Sequence, residues 1–341
     1  MAIVVGFDIH REQITYDALD DETGEVRRGR IAPADRLCVR RFLGSFPAGA
    51  VVDVALEATT GWRFIVEEIV QAGMTPHLAE PAETATLRGR KARAKTDRAD
   101  ARHLRELLGQ GRLPEAWAAP EEILELRQRV RLRKTLVDER TAWQQRIHAL
   151  LFHHGLRRPR ALLTSDGRAL LDRVELPPSA RQALDVALAM IDACDAQITP
   201  LDRELSRYAR HQPGCAALMQ IFGIGTLTSS AILAELGDAR RFSSSRHAVR
   251  FAGLDITVYS SAEHRAPGRL SRQGSTVLRW AVYEAAQTAA RPGSPDHAYY
   301  QTLAARLGKS RAKLALSRKL LRRAHHTLRE LGDAALAPAT T

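Results

Sequence analysis

The stretch AIVVGFDI at residues 2–9 decides the fold of the N-terminal part of the chain. It is a run of β-branched and apolar residues that ends next to an acid, Asp8, which is typical of a buried strand. A second run of the same kind, VVDVALEA at residues 51–58, carries Glu57 near its end. If both strands belong to one sheet, Asp8 and Glu57 lie at the same edge of it.

The segments around these two strands predict a sheet covered by helices. Strands are predicted at 12–19 and 25–31, and the turn residues DETG at 21–24 join them, so that the first three strands form an antiparallel meander. The remaining predicted elements are helices at 34–44, 61–73, 82–90 and 97–109 and a short strand at 75–79. Strands that alternate with helices after a meander indicate an α/β domain, which we place at residues 1–112.

Beyond the linker-like segment LPEAWAAPEE at 113–122, strand signals stop and helical spacing takes over. Two long helical patterns, at 121–154 and 179–210, predict an antiparallel, coiled-coil-like hairpin as a second, all-α domain at 113–212. Pro200 is expected to kink or break the second helix. The hairpin would either join two chains or pack only within its own chain.

The third predicted domain, residues 213–341, is mostly helical. Gly223 and Gly225 lie between two helical stretches, as in a helix-hairpin-helix element whose backbone N–H groups bind a phosphate, and the alternative is a plain tight turn between helices. Residues 301–332 carry nine Lys or Arg and a single acid, Glu330. That pattern fits either a helix that binds a nucleic-acid backbone or a solvated helix face.

Composition limits the class of protein. The chain has 341 residues, enough for two or three domains, and its net charge of +12 favours a nucleic-acid partner, unless the arginine excess only reflects coding bias. The three cysteines, Cys38, Cys194 and Cys215, are too far apart in sequence to suggest a disulfide framework or a zinc site. Without a secretion signal or an apolar run of membrane length, a cytoplasmic protein is expected.

Asp97 and Asp100 lie in the segment KTDRADARHL. Thr96 is a suitable N-cap there, which would place both acids on one face of the first helical turn. Taken singly, each acid has an ordinary explanation, such as the positive end of a helix or the cap of a strand. Together with Asp8 and Glu57 they favour a Mg²⁺ site, with Mn²⁺ as an alternative, of the kind that supports phosphodiester chemistry.

A basic segment surrounds these acids. Between Arg88 and Arg105 there are eight Lys or Arg and only two acids, Asp97 and Asp100. Cations that hold a phosphate backbone beside an acidic centre are what a phosphodiester site needs. The residues predicted to bind nucleic acid here are Arg88, Arg90, Lys91, Arg93 and Lys95.

Ser260 and Ser261 stand in a second basic segment, a Gly/Ser/Arg-rich loop at 259–275 that also contains His264. A serine can attack phosphorus when a base or metal activates it and arginines hold the phosphate. The arginines available for that purpose are Arg265, Arg269 and Arg272. On composition alone, serine in such a loop is far more often a turn residue.

Taken together, these segments resemble a known family, the DEDD transposases of the insertion-sequence family numbered one-hundred-and-ten. The resemblance covers nearly the whole chain, and the order and spacing of its six segments are specific. In chain order they are VVGFDIHREQ, LEATTGWR, KTDRADARHL, IFGIGTLTSSAIL, RFAGLDITVYSS and GRLSRQGSTVLR. The resemblance implies an insertion-sequence transposase that cleaves and rejoins DNA.

The resemblance also implies roles for individual residues. The N-terminal domain would have an RNase H-type, RuvC-like fold with a catalytic, metal-binding set formed by Asp8, Glu57, Asp97 and Asp100. The C-terminal transposase domain would contribute a serine that forms a transient link to DNA. The family has a Ser-Gly pair after a tyrosine, and here Tyr259 is followed by Ser260, Ser261 and Ala262. Ser261 is thus the expected nucleophile and Ser260 the alternative, with Ala262 in place of the glycine.

Partners are implied as well. Members of the family use a structured non-coding RNA that pairs with target and donor DNA, so that base pairing and not the protein reads the sequence. They are expected to form homodimers that assemble into tetramers, with sites shared between chains. Work on DNA would place the protein in the cytoplasm at the nucleoid.

Three other functions fit parts of the sequence. A RuvC-like junction endonuclease would use the same acids with water and form no covalent intermediate. A non-catalytic nucleic-acid-binding protein with a degenerate nuclease fold would bind without Mg²⁺, but the presence of all four acids disfavours it. An actin-like sugar kinase also begins with a strand that ends in Asp, but the high pI and the absence of a glycine-rich phosphate loop disfavour that function.

Overall fold

The computed structural model describes residues 2–87, 96–159, 161–256, 260–261, 264–265, 268 and 270–339. At residues 260–261 and 264–265 it describes the backbone alone. These residues belong to two compact units, Met1–Ala118 and Ala119–Thr341. The division into three domains at 112 and 212 stays a prediction.

The first unit is built on one mixed five-stranded sheet. Its strands are β1 (Ala2–Ile9), β2 (Ile14–Asp20), β3 (Val26–Ile31), β4 (Val51–Glu57) and β5 (Thr75–Ala79), in the spatial order β3-β2-β1-β4-β5. The first three strands are antiparallel, whereas β1, β4 and β5 run parallel to one another. The α/β character of this unit and its antiparallel meander, both predicted from the sequence, are confirmed.

Helices cover both faces of this sheet. They are α1 (Arg36–Leu43), α2 (Trp62–Gln71), α3 (Pro81–Thr86) and α4 (Asp97–Gly109). One face packs on α1 and α2 through a core that includes Phe7, Leu56 and Ile65. On the other face, Leu104 of α4 packs on Ala55. Because side chains alternate along a strand, apolar residues on both faces require this double cover.

The second unit is mostly helical. Its helices are α5 (Glu121–His153), α6 (Ser165–Arg173), α7 (Pro178–His211), α8 (Pro213–Leu218), α9 (Thr226–Leu236), α10 (Ser245–Phe251), α11 (Thr276–Ala289), α12 (His297–Leu307) and α13 (Lys309–Leu331). Short 3₁₀ segments lie at Ala239–Arg241 and Gly332–Leu336, and two-residue strands form β6 (Ser260–Ser261) and β7 (His264–Arg265). No helix of the described residues is long and apolar enough to cross a membrane. The three cysteines are free thiols.

Helices α5 and α7 pack against each other in opposite directions. Arg133 pairs with Asp202 at 2.6 Å, and Arg140, farther along α5, pairs with Asp195, which comes earlier on α7. Near the far end of α5, Ile147 packs in a core with residues of α6 and α7. The long helices thus have both an apolar contact and a ladder of ion pairs between them.

Helix α7 continues through Pro200, so of the expected kink or break the break was wrong, and a kink there stays a prediction. Proline removes one backbone hydrogen bond and crowds the preceding turn. Ile198 and Leu205, on either side of it, are buried. Packing along the whole helix therefore offsets the loss of a single hydrogen bond.

Candidate functional site

Asp8 and Glu57 come from neighbouring strands that run in the same direction. Phe7 of β1 pairs with Leu56 of β4, so the residues that follow each of them lie side by side at the carboxyl edge of the sheet. This is the arrangement expected for the two strand-terminal acids, and it brings them to one edge without any contribution from loops.

Helix α4 lies directly on β1, and the closest approach is at Gly6. A Cβ on Gly6 would lie 2.0 Å from the backbone oxygen of Ala101, a distance that no real side chain adopts. Gly6 and Asp8 share one face of β1. Two strand residues and four helix residues both advance about 6 Å. Asp97, one turn before Ala101, therefore reaches the level of Asp8.

Three side chains meet where α4 begins. The Nε2 atom of His10 lies 3.1 Å from Oδ2 of Asp8 and 3.6 Å from Oδ1 of Asp97. One ligand atom from each residue lies within 4.8 Å of the others, which is close enough for a single cation to contact all three. The Asp8 side chain is 18% exposed and that of Asp97 42% exposed, so the group opens to solvent on one side.

The start of α4 explains how Asp97 is held there. Thr96 caps the helix, as its sequence predicts, because its Oγ1 accepts a hydrogen bond from the N–H of Ala99 at 3.2 Å. Asp97 and Asp100 then occupy the first turn, where the helix dipole favours negative charge. Gln13 adds a long hydrogen bond of 3.5 Å from its amide nitrogen to Asp97.

Two of the four predicted acids belong to this group, and the other two lie beside it. Asp100 is close enough to raise the pKa of Asp8, and Glu57 stands on the adjacent strand end. Neither Asp100 nor Glu57 is among the three residues whose ligand atoms meet. The assignment of all four acids as a metal-binding set stays a prediction.

His10 was missed in the sequence, although its position carries a signal. It follows Asp8 by two residues, and alternate residues of an extended chain point to the same side. A histidine at that spacing from a strand-terminal acid could therefore have been added to the predicted site.

The electrostatics of the group are those of acids held close together. Burial raises the pKa of Asp8 above its usual range, and repulsion from Asp100 and Asp97 raises it further, whereas His10 lowers it. A nearby cation stabilises the ionised form of such a carboxylate and so offsets the free-energy cost of burial and repulsion. The charge distribution therefore suits a bound metal ion.

A buried hydroxyl beside the acids also fits a metal ion with its water ligands. Thr15 of β2 pairs directly with Asp8, so both side chains lie on the same face of the sheet. The Thr15 Oγ1 atom is buried and has no hydrogen-bond partner among the described residues. Two carboxylates and an imidazole are a donor set for a divalent cation, and the open hydroxyl could meet a water on it.

Behind the acids, a buried ion pair ties α4 to the sheet. Nε of Arg105 lies 2.5 Å from Oδ1 of Asp17, and both side chains are at most 10% exposed. The distance is that of an ion pair, but the N–H of Arg105 does not point at the Asp17 oxygen well enough to count as a hydrogen bond. Asp17 also accepts a hydrogen bond of 2.6 Å from Arg28. Asp17 pairs with Gly6 across the strands, so this anchor lies at the point of closest helix approach.

Most of the predicted nucleic-acid-binding cations lie outside the described residues. That holds for Arg88, Arg90, Lys91, Arg93, Lys95 and Arg269, and for the side chain of Arg265. Arg272 is described: it is exposed and has a positive φ of 54°. Their role in binding nucleic acid stays a prediction.

The predicted nucleophiles lie on the short strand β6, in the second unit. Ser260 pairs with Arg265 and Ser261 with His264 of β7. The ends of the serine loop, residues 256–270, are joined by a β-bridge between Ile256 and Leu270. Just outside this bridge, the N–H of Ser271 donates to the backbone oxygen of Asp255 at 3.1 Å. The loop is therefore closed at its base.

Gly223 and Gly225 form the turn between α8 and α9. Gly223 has a φ of 97°, and a Cβ there would lie 2.5 Å from the backbone oxygen of Ala285. Gly225 is the N-cap of α9, and its N–H donates to Oγ1 of Thr228 at 2.9 Å. The glycines thus serve a tight turn packed on α11, and phosphate binding by this turn stays a prediction.

Comparison with known proteins places both units in one family. A family model of DEDD transposases of the IS110 type, described as transposase, matches residues 5–154. A second model, described as transposase of the IS116/IS110/IS902 family, matches residues 215–301. The first match contains Asp8, Glu57, Asp97 and Asp100, and the second contains the serine loop. The five-stranded mixed sheet is consistent with the RuvC-like fold expected for such a domain.

Several transposases align with this chain over most of their own length. A putative transposase of Sinorhizobium fredii is 30% identical in an alignment of 299 positions that covers 79% of this chain and 72% of the relative. A probable family 20 transposase of Pseudomonas aeruginosa is 26% identical over 84% of each chain. The transposase for the insertion sequence element IS1111A of Coxiella burnetii is 24% identical over 93% of this chain and 86% of its own. The chain therefore belongs to the IS116/IS110/IS902 family of transposases, enzymes that cleave and transfer DNA.

Proposed function

We propose that this transposase performs Mg²⁺-dependent, site-specific DNA recombination through a serine-linked intermediate and is guided by a structured RNA. The observation that supports this proposal most directly is the group formed by Asp8, His10 and Asp97 at the carboxyl edge of the sheet. Its two carboxylates meet where the fold of the first unit brings β1 and the start of α4 together.

In this proposal Asp8, Glu57, Asp97 and Asp100 hold the cation, and His10, whose Nε2 meets both Asp8 and Asp97, is a further ligand. A bound Mg²⁺ supplies positive charge that stabilises the charge developing on the scissile phosphate, and Mn²⁺ would serve the same purpose. The protein's own contribution is to fix the acids. Thr96 sets the start of α4, and Gly6 allows that helix to lie on β1.

The chemical step is a transesterification. The Oγ atom of Ser261 attacks phosphorus, the bond from phosphorus to the 3′-oxygen breaks, and the departing oxygen leaves as a 3′-hydroxyl with the proton that serine loses. One phosphodiester replaces another, so the step needs no external energy source. Attack by the 3′-hydroxyl of a second strand reverses it, frees the serine and leaves recombined DNA.

Basic residues would hold the substrate during this exchange. Arg265, Arg269 and Arg272 follow the candidate serines in sequence, and the segment from Arg88 to Lys95 precedes Asp97 and Asp100 in sequence. Arginine binds phosphate in a two-pronged fashion that fixes its orientation. The net charge of +12 supports a substrate and guide that are both polyanions.

The assembly is proposed to contain a guide RNA from the element and two or four copies of the chain. RNA transcribed from the DNA that flanks the gene should co-purify with the protein and be required for cleavage of matching DNA. Native mass measurement should then give dimers that become tetramers on DNA. Sequence-selective cleavage by RNA-free protein would contradict the guide.

The serine step is tested by trapping the protein on DNA. Cleavage reactions with Mg²⁺, stopped with denaturant, should contain a covalent protein–DNA adduct for the wild type and for Ser310→Ala, an exposed serine on α13 that serves as the matched control. Ser261→Ala should lose both adduct and cleavage, whereas Asp8→Asn should lose cleavage while still binding DNA.

Each other outcome assigns a different reaction. An adduct that survives Ser261→Ala but not Ser260→Ala moves the nucleophile to Ser260. Cleavage that needs Asp8 but neither serine indicates a junction endonuclease that uses water. DNA binding with no cleavage under any condition indicates a non-catalytic binding protein.

A further inference from the structure

A pocket of about 750 Å³ opens in the second unit at the base of the serine loop. Its walls are formed by the two ends of that loop, by the end of α12 and by one face of α13. The lining residues that carry the argument are Ile256, Leu270, Arg272, Arg311, Leu314 and Arg318. Its volume lies within the range of small-ligand sites, roughly 300–1,000 Å³.

The face of α13 that lines this pocket is distinct from the face that packs in the core. Arg311, Leu314 and Arg318 follow one another at helical spacing of three and four residues, so they lie in one stripe. The buried residues of α13, which include Leu316 and Leu320, lie on another side of the helix. Part of the basic helical segment at 301–332 thus lines a concave surface.

Apolar side chains in this pocket are left open to solvent. Ile256 is 50% exposed and Leu307, at the end of α12, is 38% exposed, and both line the pocket. Aliphatic surface beside the flat guanidinium of an arginine is suited to the face of a nucleobase.

The charge in the pocket is of one sign. Among the described residues no carboxylate lines it, and none of Arg272, Arg311 and Arg318 forms an ion pair. Arg318 is half-buried and uses its Nε to donate to the backbone oxygen of Leu254 at 2.6 Å. Burial and the nearby Arg322 lower the pKa of Arg318, against a smaller opposite effect from Asp255. The lowered pKa means that the charged form of Arg318 is disfavoured, and a bound anion would stabilise that form.

We propose that the pocket binds one unstacked nucleotide of the DNA substrate, with the base on the aliphatic side chains and a phosphate on the arginines. DNA is the source of this nucleotide in the proposal because the chain belongs to a family of enzymes that cleave and transfer DNA, and an RNA oligomer serves as the competing probe. This inference goes beyond the proposed function, since it rests on DNA as the substrate and not on the serine or metal chemistry.

The position of the pocket gives this binding a consequence for the reaction. Ile256 and Leu270, which close the serine loop by their β-bridge, are also walls of the pocket. A nucleotide that fills the pocket therefore contacts the base of the loop that carries Ser260 and Ser261. Extracting a base fixes the adjoining phosphates relative to the protein.

The test uses the full chain in EDTA, so that neither cleavage nor a metal ion is needed. The probe is a 5′-phosphorylated single-stranded thymidine oligomer of about five nucleotides with one 4-thiothymidine, and light-induced crosslinks are mapped by mass spectrometry. Two further probes are run in parallel: an abasic oligomer of equal length, to compare affinities, and the uridine oligomer with 4-thiouridine.

The variants are Arg311→Gln and Ala315→Trp, which fills the pocket from α13. Arg306→Gln is the matched control, because it is an exposed arginine of α12 that does not line the pocket.

The expected crosslinks fall on peptides of α13 or the loop ends, and both pocket variants reduce their yield about tenfold while Arg306→Gln leaves it unchanged. The thymidine oligomer should also bind more tightly than the abasic one, and this difference should vanish in Ala315→Trp. Crosslinks elsewhere, or an equal loss in Arg306→Gln, would overturn the proposal in favour of general charge attraction. Stronger crosslinking of the uridine oligomer would overturn it in favour of an RNA site. Because no step requires cleavage, a failure here is separate from a failure of the serine or metal chemistry.

Discussion

Gly6 of β1 faces the backbone oxygen of Ala101 in α4 so closely that a Cβ would lie 2.0 Å from it. This contact sets the height of α4 above the sheet. One turn earlier the same helix presents Asp97, and two residues later the same strand presents Asp8. The distance between the two carboxylates is therefore governed by a residue that has no side chain.

Gly6→Ala should displace α4 by about 1 Å, since the new methyl group needs a normal contact distance, and overpacking of this kind costs about 1–3 kcal/mol. A shift of that size at reacting groups can lower a rate about a hundredfold. We expect DNA cleavage to fall far more than DNA binding. Gly109→Ala, at the end of the same helix with open space around it, is the control and should be neutral or stabilising. Normal cleavage by Gly6→Ala would contradict the proposed link between this contact and the acids.

Asp8→Asn should stabilise the protein in the absence of metal. Partial burial raises the pKa of this carboxyl, and repulsion from Asp100 and Asp97 adds to the effect against a lowering by His10, so a neutral amide removes a net cost of charge. We expect the melting temperature in EDTA to rise by a few degrees, and the increase that Mg²⁺ produces in the wild type to disappear. Asp21→Asn, at an exposed turn, should change neither value. If the variant is still stabilised by Mg²⁺ as much as the wild type, the cation binds elsewhere.

Arg105→Gln should destabilise the first unit, because among the described residues it leaves buried Asp17 paired with the half-exposed Arg28 alone. Removing one member of a buried ion pair costs about 3–5 kcal/mol. Urea unfolding should therefore show a clear loss of stability. Arg102→Gln removes an exposed pair with Glu106 on the same helix and should have an effect too small to measure. Equal effects of the two changes would show that the buried pair is not an anchor.

His325 on α13 should make the second unit less stable in mild acid. It is 1% exposed, and neither ring nitrogen has a hydrogen bond of good geometry among the described residues. Burial lowers its pKa below the ordinary 6.5, with smaller contributions from His326 and Arg329. Below pH 6.5 this histidine therefore binds a proton in the unfolded chain but not in the folded chain. The free energy of unfolding then decreases as the pH falls towards the lowered pKa.

His325→Leu should remove that part of the pH dependence. The measurement is urea unfolding at about pH 7.5 and about pH 5.5, and the wild type should lose more stability between them than the variant does. His326→Gln, at the exposed neighbouring position, should keep a pH dependence close to that of the wild type. A variant that loses as much stability in acid as the wild type would assign the effect to another group.

The first unit was largely predictable because its signals are local. The strand around Asp8, the strand before Glu57 and the cap at Thr96 each depend on the types of a few adjacent residues, and the structure has all three. The family resemblance followed from the same segments. Local patterns of this kind specify which elements form and which residues stand at their ends.

What the sequence did not reveal depends on distant contacts. Nothing near Gly6 indicates that Ala101 will lie on it, and nothing near Pro200 indicates that packing will keep its helix continuous. The pocket beside Arg318 joins a loop, a helix end and a helix face that are separate in sequence. His10 is the exception, because its spacing from Asp8 could have been used.

The strand order β3-β2-β1-β4-β5 has a consequence for synthesis. Of these five strands, β1 is synthesised first and is the central one. Its second edge becomes paired only after β4 has been synthesised. Asp8 then meets Asp97 only after about ninety further residues have been added, and closing a loop of that length costs about 4 kcal/mol. A nascent or truncated chain that lacks α4 therefore has Asp8 and Glu57 but cannot bring Asp97 to them, so the predicted acidic site forms only when the whole first unit has folded.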